Sequence, residues 1–247
     1  MATLLGTNNN DPAGNPATTN DSDTVYLLDG NDISKGLGGN DFLYGGQGND
    51  DLQGNDGNDY IEAGDGADDA NGNDGDDEVY GGRGNDRLGD DPATGTDEEA
   101  GNDYINGGSG DDDVSGGAGD DRLVGSDGND QIGGGLGRDV MWGGSDKDEF
   151  IWTDMAQTGS TGATADWVRD FNRADGDEIV LEQIDANTNK NGDQDFNFIG
   201  KKSFSGKAGE LRFKNGKLTG DVDGNGAKDF MIKVSGVNKM VDADFDL

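Results

Sequence analysis

Single apolar residues, most of them flanked by polar neighbours, recur every nine positions through the middle of this chain. The column is Val25, Ser34, Leu43, Leu52, Ile61, Ala70, Val79, Leu88, then Ile105, Val114, Leu123, Ile132, Met141 and Phe150. Ser34 and Ala70 are its weak points. A polar–apolar–polar triplet is one short strand with a single inward side chain. The intervening residues are Gly, Asn and Asp, the types that tolerate left-handed and tight-turn backbone. The spacing therefore predicts many short strands joined by turns.

Reading from Gly36, the blocks run GLGGNDFLY, GGQGNDDLQ, GNDGNDYIE, AGDGADDAN, GNDGDDEVY and GGRGNDRLG. After an acidic stretch at 90–97 they resume as EEAGNDYIN, GGSGDDDVS, GGAGDDRLV, GSDGNDQIG, GGLGRDVMW and GGSDKDEFI. Two degenerate blocks, from Thr18 and Leu27, come first. The common form is G-G-x-G-x-D-x-U-x, with U apolar. A repeat at fixed short period predicts a solenoid. Two blocks, eighteen residues, make one coil, and successive coils stack at the sheet spacing of ~4.8 Å. Each sixth-position Asp then lies above the Asp one coil back. One ladder holds Asp41, Asp59, Asp77, Asp103, Asp121 and Asp139; the other holds Asp32, Asp50, Asp68, Asp86, Asp112, Asp130 and Asp148. The acidic stretch preserves this alternation if it bulges out as a loop insertion.

Bare carboxylates at that spacing repel by about 0.8 kcal/mol per neighbour in water and about 3 near a protein surface. A cation between them removes the conflict. Carboxylates and turn carbonyls are hard oxygen donors, which favour calcium over zinc or iron. Composition agrees: 18 Lys+Arg stand against 53 Asp+Glu, a formal net charge of -35. Self-repulsion on that scale opposes a compact state without counter-ions. It also argues against nucleic acid and anionic membranes as partners, since both need basic surface. With 30% hydrophobic residues the chain would default to disorder were the glycines and aspartates not periodic. There is no Cys and no His. That removes disulfides, thiolate and imidazole chemistry and the usual zinc sites. The opening MATLLGTNNN lacks a basic and then apolar leader, so no cleavable signal peptide is expected. No apolar run approaches the ~20 residues of a membrane span.

These blocks resemble the RTX (repeats-in-toxin, hemolysin-type) family. The resemblance implies an all-β fold: a right-handed parallel β-roll (β-solenoid) with several calcium ions held between consecutive turns. It implies ligation by the side chains of Asp32, Asp41, Asp50, Asp59, Asp68, Asp77, Asp86, Asp103, Asp112, Asp121, Asp130, Asp139 and Asp148. Backbone carbonyls of positions one to four would complete the sites: Gly36, Gly38, Gly45, Gly46, Gly48, Gly54, Gly57, Gly107, Gly108, Gly110, Gly116, Gly117, Gly119, Gly134, Gly135 and Gly137. The block from Gly143 departs from the pattern with Asp146, and the block from Ala63 lacks its first glycine. Residues 166–200 and 203–236 are similar to the C-terminal domain of serralysin-type proteases, and alginate epimerases carry related modules. No catalytic domain is included in the resemblance.

The expected organisation is a polar tail at 1–17, the roll at 18–151, and a β-rich C-terminal capping and secretion domain at 152–247. Asp221, Asp223, Asn225 and Asp229 with Gly226 fit the start of an EF-hand-like loop, but Ile232 stands where a bidentate Glu belongs. A polar hairpin turn is the expectation there. Asn187, Asn189, Asn191 and Gly192 read as a loop. Trp142, Trp152 and Trp167 read as a cap on the open core, with sugar stacking as the alternative. The chain is expected to be a non-enzymatic, secreted calcium-binding protein exported by type I machinery. A matrix, adhesion or surface-polysaccharide role is expected outside the cell. The rival is a calcium and secretion module of an extracellular enzyme such as a protease, lipase or epimerase.

Overall fold

The computed structural model describes residues 3–7, 9, 18–89, 101–190 and 194–247. The chain winds as a parallel β-solenoid. Odd and even blocks feed two sheets, one of 13 strands and one of nine. Strands such as Phe42–Gln47, Asp51–Asp56 and Tyr60–Asp65 are six residues long rather than three. Each starts just after the ladder Asp, passes through the apolar position and runs into the first three residues of the next block. The inward face therefore carries two side-chain positions, the apolar residue and the first glycine, and both Leu43 and Gly45 are buried.

Register follows the eighteen-residue coil. Leu43 pairs with Ile61 on the larger sheet, and Leu52 with Ala70 on the smaller. Across the acidic stretch Val79 pairs with Ile105 and Leu88 with Val114, so the alternation of sheets continues. The stretch itself, 90–97, lies outside the described residues. The whole predicted column is buried, including Ser34 and Ala70. Ser34 is a true weak point, because its hydroxyl is buried without a hydrogen-bond partner.

Beyond Phe150 the nonapeptide pattern stops but the coil does not. Trp167–Val168 adds to Val140–Ser145, and Glu178–Val180 adds to Glu149–Ile151, both in parallel. A further layer follows, with Phe230–Val234 on the larger sheet and Phe245–Asp246 on the smaller. Val168, Ile179, Val234 and Phe245 thus prolong the apolar column. Antiparallel pairing of Phe230–Val234 with Lys217–Asp221, and of that strand with Glu210–Phe213, then ends the parallel run. The C-terminal region has apolar residues enough for a core of its own, yet it shares one continuous core with the repeats.

The N-terminal segment also departs from the expected polar tail. Thr3–Leu5 pairs in parallel with Thr24–Tyr26 as an edge strand, and Leu4 packs against the core. A segment beside an open sheet edge gains hydrogen bonds; here Leu4 also gains partial burial, while Leu5 stays exposed.

Candidate metal centre

The predicted aspartate ladders form, and all their members are buried. In each ladder the backbone N–H of one Asp donates to Oδ1 of the Asp one coil later, at 2.6–3.3 Å. That bond fixes one carboxylate oxygen. The other is left over: Oδ2 of Asp41, Asp50, Asp59, Asp68, Asp86, Asp112, Asp130, Asp139 and Asp148 is buried and accepts no hydrogen bond. A native interior does not leave a row of charged oxygens unmatched, because each costs several kcal/mol.

The ladder ends serve as an internal comparison. Asp23 begins one ladder, and its Oδ2 accepts from the N–H and the hydroxyl of Thr19 at 2.8 and 2.9 Å. Asp166 ends that ladder, and its Oδ2 accepts from the Trp152 indole at 2.8 Å. Asp177 ends the other, and its Oδ2 accepts from the Asn172 N–H at 2.7 Å. These three terminal carboxylates are thus completed by protein donors, whereas the nine Oδ2 atoms named above are not.

The glycines show where that partner fits. A Cβ on Gly45 would overlap both Oδ2 of Asp50 and the carbonyl oxygen of Ala63. The same pairing of carboxylate and next-coil carbonyl recurs at Gly36, Gly54, Gly107 and Gly116. Gly134 would overlap Oδ2 of Asp139. First-position glycines therefore keep open a small space lined by carboxylate and carbonyl oxygen, the donor set that suits calcium. At Ala63 the sequence fills part of that space, and at Leu27 more of it. The fourth-position residues Gly48, Gly57, Gly110, Gly119 and Gly137 sit over the carbonyl one coil below, where any Cβ would overlap it. Gly46 and Gly108 do likewise at position two, while Gly117 and Gly135 are left-handed turn residues. Gly38 has only ordinary contacts. Asp146 takes the fourth position of its block with φ +74, so it keeps the turn's backbone form without glycine.

Burial sets the electrostatics. It pushes Asp50, Asp59, Asp68 and Asp86 up to about 6, against the N–H each accepts. Asp112 and Asp148 rise to about 8, and Asp139 to about 10; burial is again the main cause, and neighbouring carboxylates add to it. These carboxylates resist ionisation in the metal-free fold.

Sequence reasoning missed several residues. Asp23, Asp166 and Asp177 extend the ladders, the last two at separations of 27 and 29 residues. Asp two places before an inward apolar residue was the usable signal: Asp23 before Val25, Asp166 before Val168, Asp177 before Ile179. Further stacks beside both aspartate ladders were also missed. Position five, read as unconstrained, stacks Asn or Asp, so that Asn49 N–H donates to Asn31 Oδ1 at 3.1 Å and Asn129 N–H to Asp111 Oδ1 at 2.9 Å.

The other candidates separate. Trp152 is buried in the core and bonded to Asp166, as a cap should be. Trp142 and Trp167 are not part of that cap. They lie half-buried on the outer face, with Arg169 over both rings. Asp221, Asp223 and Asp229 converge, with oxygens within 4.8 Å of one another, in the turn between Lys217–Asp221 and Phe230–Val234. Both Asp221 oxygens accept turn N–H groups, from Gly224 and Gly226, and Asp229 accepts from Val222. Hairpin hydrogen bonds thus account for this cluster. Asn187 caps a turn through Asn189, while Asn191 and Gly192 lie outside the described residues.

A family model described as the RTX calcium-binding nonapeptide repeat (4 copies) matches residues 18–52, 26–61, 53–88, 99–123 and 115–150. No curated protein matches the chain.

Proposed function

The chain belongs to the RTX calcium-binding nonapeptide repeat family, and we propose that it is a non-enzymatic, secreted protein that folds on calcium outside the cell and acts in a matrix, adhesion or surface-polysaccharide setting. Its repeats bind calcium, and their β-roll is a structural calcium-binding fold, not a catalytic one. The carrying observation is the row of nine buried Oδ2 atoms without hydrogen bonds named above, set against those of Asp23, Asp166 and Asp177, which protein donors complete. In this reading calcium ions lie between consecutive turns, ligated by the interior ladder aspartates and the turn glycine carbonyls named above. The sites beside Ala63 and Leu27 are the most crowded.

Extracellular calcium of about 0.1–1 mM or more suits modules of this kind, whereas a chain of net charge -35 without calcium resists compaction. Export unfolded, followed by folding on arrival, matches that difference. The C-terminal region caps the roll and carries the type I export signal. Among the described residues, no helix is long and apolar enough to cross a membrane.

Circular dichroism tests the coupling. At neutral pH the spectrum should be coil-like in excess chelator and turn β-rich as calcium reaches the submillimolar range. A β-rich spectrum in chelator at neutral pH would sink the proposal.

A further inference from the structure

Charge in this chain is unevenly placed. Residues 201–247 hold nine of its 18 Lys and Arg, but only seven of its 53 Asp and Glu. Four of these cations converge. Arg212, Lys214, Lys217 and Lys228 line a cleft of about 280 Å³ at the C-terminal end of the larger sheet, over Thr219 and Met231. Both floor residues are buried. No carboxylate lines the cleft, and none of the four cations makes an ion pair among the described residues.

Two of the four cations are held in place, whereas Lys214 and Lys217 are exposed. Arg212 donates from Nε to the Thr219 hydroxyl at 3.2 Å and lies over the Phe204 ring. Lys228 donates to the Ser160 carbonyl. Like charges gathered without counter-charge repel one another. Unpaired cations, two of them fixed, around a concave floor form an anion site.

The neighbouring surface narrows the ligand. Lys217 is in register with Lys233, and Lys233 with Trp167, so the cleft continues along the same outer face. There cations and rings alternate: Lys233 lies over Trp167, Arg169 over Trp167 and Trp142, and Arg122 over Trp142. Rings beside cations suit a ligand that presents both apolar C–H faces and anionic groups. The strip is narrow, and the rest of the molecule is strongly acidic, which repels a broad anionic surface such as a membrane. A linear chain can follow the strip and avoid the rest.

We propose that this basic cleft binds a carboxylate- or sulfate-bearing sugar unit of an acidic polysaccharide, with the adjoining Trp–Arg strip carrying the next units. This rests on the polysaccharide-associated reading above and supplies its binding site.

The test uses the calcium-loaded full chain against polygalacturonate, dextran sulfate, neutral dextran and phosphatidylserine vesicles. Wild type should bind both acidic glycans, more weakly as salt rises, and neither neutral dextran nor vesicles. The triple variant K214Q/K217Q/K228Q should bind the acidic glycans at least tenfold more weakly, with an unchanged calcium midpoint by circular dichroism. Should that variant fold poorly, Lys217→Gln alone should still weaken binding several-fold. Variants that fold normally and bind like wild type would overturn the site, since calcium on the ladders would then be bridging the glycan. Equal binding to neutral dextran would overturn it too, but would leave the polysaccharide role standing. Binding to no glycan removes both, and tighter binding to vesicles replaces the glycan with a membrane.

Discussion

At interior ladder aspartates such as Asp41, Asp50 and Asp112 the two carboxylate oxygens have different fates. Oδ1 is tied to the preceding coil by a backbone N–H, whereas Oδ2 faces the space a first-position glycine keeps open. Calcium or a proton can satisfy Oδ2, and this gives a pH dependence with a definite sign. An unfolded Asp titrates near 3.9, while burial holds Asp50, Asp59, Asp68 and Asp86 near 6 in the metal-free fold. Between those values the folded form carries more protons than the unfolded one, so its stability falls as pH rises. In calcium-free buffer, β structure should therefore appear near pH 4 and disappear as pH passes 6, with Asp112 and Asp148 extending the loss toward 8. A calcium-free spectrum that is equally or more β-rich at pH 8 than at pH 4 would contradict this. Residue identity made the interior rungs legible in the sequence, because Gly at position one and Asp at position six serve one space. Position five was not legible as a ladder, since Asn is also an ordinary turn residue.

Among the elements, the repeat strands were readable because one inward side chain every nine residues fixes both period and register. Their length was not, since the glycines that continue each strand read as turn residues. Past Phe150 the coil lengthens to 27 and 29 residues, so period ceases to signal and only the short D-x-U match survives at Asp166 and Asp177. That is why the prolongation of both sheets by Trp167–Val168 and Glu178–Val180 was hidden. Solenoids need atypical terminal units, because an open end exposes the apolar column. Here the terminal coils also supply the donors that complete Asp166 and Asp177. Truncation after Gly144 removes all of this. The remaining repeats should need several-fold more calcium to fold, or should aggregate when it is added, and an unrelated folded cap should partly rescue them. Folding at the wild-type calcium concentration as a stable monomer would show that the C-terminal region is no cap.

Over the whole molecule, one narrow column of side chains runs from Val25 to Phe245 between two sheets. Such a core has few layers with which to offset chain entropy. Without metal the ladders add self-repulsion and desolvation to that cost, so binding free energy becomes folding free energy. The C-terminal end differs in kind: its excess of cations gives the molecule one basic end against a long acidic body. Net charge alone concealed this division. Calcium between the turns is the central claim, and anomalous diffraction from calcium-grown crystals tests it most directly. The expected map has two rows of peaks, one along each ladder, each peak beside a first-position glycine and between interior aspartates such as Asp41 and Asp59 or Asp112 and Asp130, with none at Oδ2 of Asp23, Asp166 or Asp177. Ladders without peaks, or peaks confined to the Asp221–Asp229 turn, would contradict the account.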